Sequence, residues 1–155
     1  MEFQFHPKFY HLLCLFILFH QSFRAQAANF RYCADVNYAV KVSEVEITPN
    51  PVVRARPTTF KISAVTGEAI FGGKWVIKVS YIGILVHQEV HNLCEEVSCP
   101  VTAGDFVVAH TQKLPVFAPP GSYTVEMKLK NEENEPLTCI TFKLKIGFGS
   151  SVSEI

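Results

Sequence analysis

The 155-residue chain carries no net charge, with 14 Lys and Arg set against 14 Asp and Glu. Without a global field or a basic arm nothing gathers a phosphate backbone, so no nucleic-acid partner is expected. No apolar run reaches the roughly 20 residues that span a bilayer, so no transmembrane helix is expected either. Asn-x-Ser/Thr sequons are missing, and with them any expectation of N-glycosylation. There is no internal repeat, linker or low-complexity tract, which argues against arrays and strings of domains. Catalytic signatures are missing as well: no Gly-x-Ser-x-Gly elbow, no phosphate-binding glycine loop and no His-Glu-x-x-His. The expectation is a protein that is not an enzyme and needs no cofactor. No segment holds an apolar stripe at helical spacing over three turns, which speaks against a helical bundle.

The N-terminus has the features of a secretory leader. Lys8 supplies positive charge, Phe9 to Phe19 is an almost unbroken apolar run, and Ala25-Gln26-Ala27 is an A-x-A cleavage site. Cleavage after Ala27 leaves residues 28–155 as a single domain that has passed through an oxidising lumen. Cys14 departs with the leader. The even set Cys33, Cys94, Cys99 and Cys139 then reads as a disulfide framework, with three pairings open. The last residues, Ser153-Glu154-Ile155, are not an ER-retention signal, so the extracellular space or apoplast, a vacuole and the ER lumen all stay open as destinations.

The periodicity is that of strands. Tyr123, Val125, Met127 and Leu129 alternate with Thr124, Glu126, Lys128 and Lys130, and Ile140, Phe142, Leu144 and Ile146 alternate with Thr141, Lys143 and Lys145. The turn-like Asn131 to Pro136 between them predicts an antiparallel hairpin. Further strands are expected over Val40–Ile47, Thr59–Val65, Lys74–Val86 and Phe106–Thr111. They are punctuated by Pro49-Asn50-Pro51, Gly72-Gly73 and Ala103-Gly104-Asp105. Lys74–Val86 is too long for one flat strand, so a bend or bulge is expected near Gly83. Six or seven such strands in one domain indicate an all-β antiparallel sandwich. Periodicity does not separate a filled interior from a hollow one.

The ordered set Cys33, Pro49-Asn50-Pro51, Cys94-x4-Cys99-Pro100, Lys113-Leu114-Pro115-Val116, Pro120-Gly121-Ser122-Tyr123 and Leu137-Thr138-Cys139 resembles the ML domain. This MD-2-related lipid-recognition family includes Niemann-Pick type C2 sterol carriers, MD-2 endotoxin-binding proteins, and phosphatidylglycerol/phosphatidylinositol transfer proteins of fungi and plants. The Gly147-Phe148-Gly149-Ser150-Ser151 ending is similar to plant members. The resemblance implies an immunoglobulin-like β-sandwich with a lipid cavity between its sheets, and disulfides Cys33–Cys139 and Cys94–Cys99. Chain entropy is compatible with that pairing, at ~4.8 kcal/mol for the outer bridge and ~2 kcal/mol for the inner. It further implies a monomer that carries a sterol or phospholipid, touches membranes transiently, and hands its ligand to a receptor or acceptor protein.

On that reading the candidate lining residues are the inward sets Phe60, Ile62, Trp75, Ile77, Val79, Tyr81, Phe106, Val108, Tyr123, Val125 and Met127. Phe71, Val116 and Phe117, apolar where a loop is normally polar, are candidates for the mouth. Two basic patches could meet an anionic head group: Lys128, Lys130, Lys143 and Lys145 on the last hairpin, and Arg54, Arg56 and Lys61 near the second strand. His87-x3-His91-x2-Cys94 has metal-like spacing. Histidines four apart share a face on a helix and this region follows a strand, so no metal site is expected. Glu95-Glu96 reads as a solvated tip, and His110 as an inward residue beside Phe106 and Val108, either buried and neutral or a polar contact near the ligand. The competing function is an immunoglobulin-like interaction module with a filled core.

Overall fold

A computed structural model describes residues 25–147. The apolar leader segment and the tail after Gly147 lie outside the described residues. The expected alternation produces nine strands, β1 (Gln26–Ala27), β2 (Phe30–Tyr32), β3 (Val40–Thr48), β4 (Pro57–Thr66), β5 (Lys74–Tyr81), β6 (Ile84–Asn92), β7 (Gly104–Lys113), β8 (Gly121–Lys130) and β9 (Pro136–Ile146). A single helical turn, α1 (Leu93–Glu96), follows β6 and is capped by the Asn92 side chain, which accepts from the Cys94 amide at 2.9 Å.

The strands form two antiparallel sheets, ordered β1-β3-β4-β7 and β2-β9-β8-β5-β6. The inward halves of the alternation meet between them, as in an immunoglobulin-like sandwich. At one lateral edge the chain crosses from β1, which the expected cut after Ala27 would remove, to β2 in the second sheet, and Cys33–Cys139 fastens the end of β2 to β9. At the other lateral edge stand β6 and β7, each the outermost strand of its own sheet. Cys94–Cys99 ties α1 to the loop entering β7.

One expected strand is two. Lys74–Val86 turns back at Ile82-Gly83, whose φ values of 50° and 78° are those of a two-residue type I′ hairpin turn, so that Tyr81 pairs with Ile84. Asn-Gly or Asp-Gly usually marks this turn. With Ile82 in the first position and apolar residues on both sides, the signal was hidden within an apolar run.

The two ends of the sandwich differ. Toward α1 it is filled by Trp75, Leu93, Ile62, Val108 and Leu129, all at most 2% exposed, and an Ile70–Val101 bridge closes it. Gly73 is required there by geometry: its φ is +149°, and a Cβ would come within 2.0 Å of the Lys130 carbonyl oxygen. Gly73→Ala is expected to cost on the order of 1–3 kcal/mol. Gly67→Ala, where a Cβ meets nothing within 4 Å, is expected to be near neutral. Urea midpoints of the two variants check this, and equal losses would contradict it.

Candidate functional site

At the opposite end the inward rows do not meet, and a cavity of about 430 Å³ remains between the sheets. Cross-strand register builds one wall. Ile77 pairs with Met127, Val79 with Val125 and Tyr81 with Tyr123, while Leu144 stands opposite Tyr123 on β9. Phe60 from β4 and His110 and Gln112 from β7 form the facing wall, and Leu114, Pro115 and Phe117 to Pro119 roof the space. Phe117 belongs to that roof, while Val86 and His87 of β6 and Lys113 of β7 lie at the lateral opening. Apart from His87, His110, Gln112, Lys113 and the tyrosine hydroxyls the lining is apolar.

Of the residues expected to line such a space, Phe60, Ile77, Val79, Tyr81, Phe117, Tyr123, Val125 and Met127 do so. Ile62, Trp75 and Val108 are instead packed in the filled half, Phe106 is half-buried against the same core, and Phe71 is 73% exposed on the loop leading into β5, at the α1 end. The reason is shared by the four strand residues, whereas Phe71 belongs to a loop at the wrong end of the sandwich. Period two specifies the face of a strand, whereas the cavity occupies only part of that face's length. Leu144, Ile146, Gln112 and Lys113 were missed. For Leu144 and Ile146 the alternation of β9 was legible, and β7 continues its inward set two residues beyond His110 to Gln112.

The roof is anchored by Tyr123, whose hydroxyl donates to the Pro119 carbonyl at 2.7 Å and whose ring stacks on Tyr81 at 4.6 Å. Gly121, at φ +145°, makes room for this stack, since a Cβ there would lie 3.1 Å from the Tyr81 ring. Burial, followed by the neighbouring Tyr81, raises the Tyr123 phenol above its ordinary value of 10.0, against a lowering by Arg54. A raised phenol contributes stability that is complete below the unfolded-state pKa and lost as pH climbs through the folded one. The domain should therefore lose stability above about pH 10, and less so in Tyr123→Phe. Alkaline melting curves test this, and identical pH dependence in the two proteins would contradict it.

The rim is apolar and exposed: Ile82 is 80%, Ile84 69%, Val116 68% and Phe117 83% accessible. The basic patches expected for a head group lie elsewhere. Lys61 pairs with Glu46 at 3.3 Å, Lys78 and Lys128 each approach Glu126 at 3.9 Å, and Lys143 donates to Thr124 at 2.7 Å. These side chains lie among the alternate, outward positions of their strands. Arg54 is the exception, reaching the roof at the Ala118 carbonyl at 3.5 Å.

The sequence profile of the ML domain matches residues 27–146, nearly the whole described chain. The chain belongs to the ML-domain family of lipid-recognition proteins. A phosphatidylglycerol/phosphatidylinositol transfer protein of Neurospora crassa is 32% identical over 114 residues, 70% of this chain and 64% of that protein, so this chain spans just under two thirds of that relative's length. In fold, this ML domain is similar to a Niemann-Pick type C2 protein of the Japanese carpenter ant, with a TM-score of 0.63 and 16% identity over 77% of this chain and 99% of the other. It is also similar to chicken MD-1, solved in complex with lipid IVa, with a TM-score of 0.52 and 15% identity over 80% and 98% of the two chains.

The two disulfides of this ML domain, with Cα separations of 5.4 and 5.3 Å, pair as the resemblance implied and befit an oxidising, secretory or lumenal setting. Its β6–β7 edge corrects two expectations. Histidines four apart share a face on a strand as well as on a helix, and β6 turns Glu89 and His91 inward toward His110. Glu96 is not a solvated tip: its side chain is 14% exposed and accepts from His110 Nδ1 at 3.0 Å, while Glu95 stays exposed.

Proposed function

We propose that this ML domain is a carrier for a single phospholipid of the phosphatidylglycerol/phosphatidylinositol class, working in the secretory pathway or outside the cell. The carrying observation is the apolar cavity of about 430 Å³ opening between exposed apolar loops, which lies within the ~300–1,000 Å³ usual for small-molecule sites. A filled immunoglobulin-like interaction module has no use for such a space. An acyl tail lies along Ile77, Val79 and Met127 beneath the Leu114–Pro119 roof. Burying ~400 Å² of tail yields ~10 kcal/mol gross, from which association and ordering subtract several, so binding is firm yet reversible at a membrane.

The choice of phospholipid over sterol rests on charge and on kinship. Lys113 and Arg54 are the cations beside the cavity and its roof, where a phosphate would emerge, and the Neurospora crassa relative is named for phosphatidylglycerol and phosphatidylinositol. Ile82, Ile84, Val116 and Phe117 meet the bilayer while the lipid crosses. Transfer of fluorescent phosphatidylglycerol between vesicles tests the reading. Wild type should transfer it faster than a fluorescent sterol, and Val116→Asp/Phe117→Asp should slow transfer roughly tenfold or more, since each buried apolar side chain is worth ~1.5–3 kcal/mol at the membrane. Equal rates in the double variant, or preference for the sterol, would contradict it.

A further inference from the structure

All three histidines of the described residues, His87, His91 and His110, stand at the β6–β7 edge. These strands belong to different sheets, and side chains rather than a backbone ladder join them. One ligand atom from each of Glu89, His91 and His110 lies within 4.8 Å of the others. His91 Nε2 is 3.3 Å from Glu89 Oε2, and His110 Nε2 is 4.0 Å from Glu89 Oε1. Glu89 Oε1, His91 Nε2 and His110 Nε2 are buried and make no hydrogen bond. Buried groups of this kind are normally satisfied, so three that converge on one point call for a shared partner.

Glu96 stands behind the imidazoles, its Oε1 3.0 Å from His110 Nδ1 and 3.8 Å from His91 Nδ1. Donation from His110 Nδ1–H to that carboxylate leaves Nε2 as the lone-pair nitrogen facing Glu89, an arrangement that orients histidines toward metals. Among the described residues the ion pairs of Glu89 and Glu96 go to histidines alone, so no lysine or arginine meets these two carboxylates. Gln112 donates to the second Glu89 oxygen at 3.4 Å.

We propose that Glu89, His91 and His110 bind one divalent transition-metal ion of the zinc class, with Glu96 as the outer carboxylate. Two imidazoles select against calcium and magnesium, which take oxygen donors. Tetrahedral zinc with bonds of ~2.0–2.1 Å spaces its ligand atoms ~3.3 Å apart. His91 Nε2 is 3.3 Å from Glu89 Oε2 and His110 Nε2 is 4.0 Å from Glu89 Oε1, with one ligand atom of each residue within 4.8 Å of the others, so the carboxylate must turn and the side chains close by about an ångström to put three donors around one ion. His87 is half exposed with Nε2 3.6 Å from Glu89 Oε1, but it is not one of the three residues whose ligand atoms lie within 4.8 Å of one another, so a water is left to complete the tetrahedron. Cys94 is committed to its disulfide. The ion joins the free edges of the two sheets beside the cavity wall that His87 and His110 also line.

The purified protein, dialysed against EDTA and then into chelator-free buffer, is titrated with ZnCl2 and separately with CoCl2. Expected are one ion per chain, the visible absorption of four-coordinate cobalt, and a melting temperature several degrees higher at ~100-fold excess over Kd. His91→Gln, His110→Gln and Glu89→Gln each weaken binding ~100-fold or more and Glu96→Gln by ~10–100-fold. Circular dichroism in EDTA confirms that each variant is folded, and Lys61→Gln, on the outward face of β4, binds as wild type. No saturable binding, or equal affinity in wild type and the three ligand variants, overturns the proposal. So does a wild-type melting temperature that responds to pH between 5 and 8 but not to either metal, which would make the cluster a proton-operated contact only.

Discussion

Replacing Cys33 and Cys139 together with alanine is expected to lower unfolding free energy by ~4–5 kcal/mol and the melting temperature by on the order of 15–20 °C. The bridge joins residues 106 apart, so its loss frees nearly the whole domain in the unfolded state. It also fastens β2 to β9 in a sandwich whose one end is hollow, where the lining forfeits dispersion contacts that a filled core would supply. Cys94→Ala/Cys99→Ala releases a separation of only 5 residues and should cost about 2 kcal/mol. Urea denaturation of both double variants decides the matter. Equal losses, or a small effect at Cys33–Cys139, would show that the sandwich does not depend on that closure.

The second large effect is expected at Val79. It sits between Ile77 and Tyr81 on the cavity face of β5 and opposite Val125, so an indole built from it projects into the space assigned to the tail. Val79→Trp is expected to weaken phospholipid binding ~100-fold, because most of the buried tail area must withdraw. Stability of the lipid-free protein should hold or rise, since the indole fills a void rather than crowding a packed core. This opposition of signs separates a filled cavity from general damage. Displacement of a fluorescent phospholipid checks the first effect and thermal melting the second. Unchanged affinity would mean that β5 does not line the site.

Much of the fold was legible because a half-buried strand writes itself as alternation. Tyr123–Lys130 and Ile140–Ile146 show this, paired as expected across the Asn131–Pro136 turn. The β5–β6 hairpin was read only as a bend because Gly83 announced it alone, with Ile82 at φ 50° standing where Asn or Asp usually marks such a turn. For the site, alternation identified which side chains face inward but not how deep along the strand each lies. Val79 and Trp75 are therefore indistinguishable in pattern, yet one lines a cavity and the other fills the core. The Glu89, His91 and His110 cluster was missed for a different reason. His110 comes from the other sheet, and only the packing of the two edge strands brings it to His91, with ring centroids 4.5 Å apart.

The central claim is that the interior is kept open for one lipid. Native mass spectrometry of the protein after incubation with phosphatidylglycerol vesicles and repurification measures this directly. A single added mass equal to one phospholipid per chain, diminished in Val79→Trp, is the predicted result. A chain that emerges without bound lipid at every vesicle concentration would contradict the account.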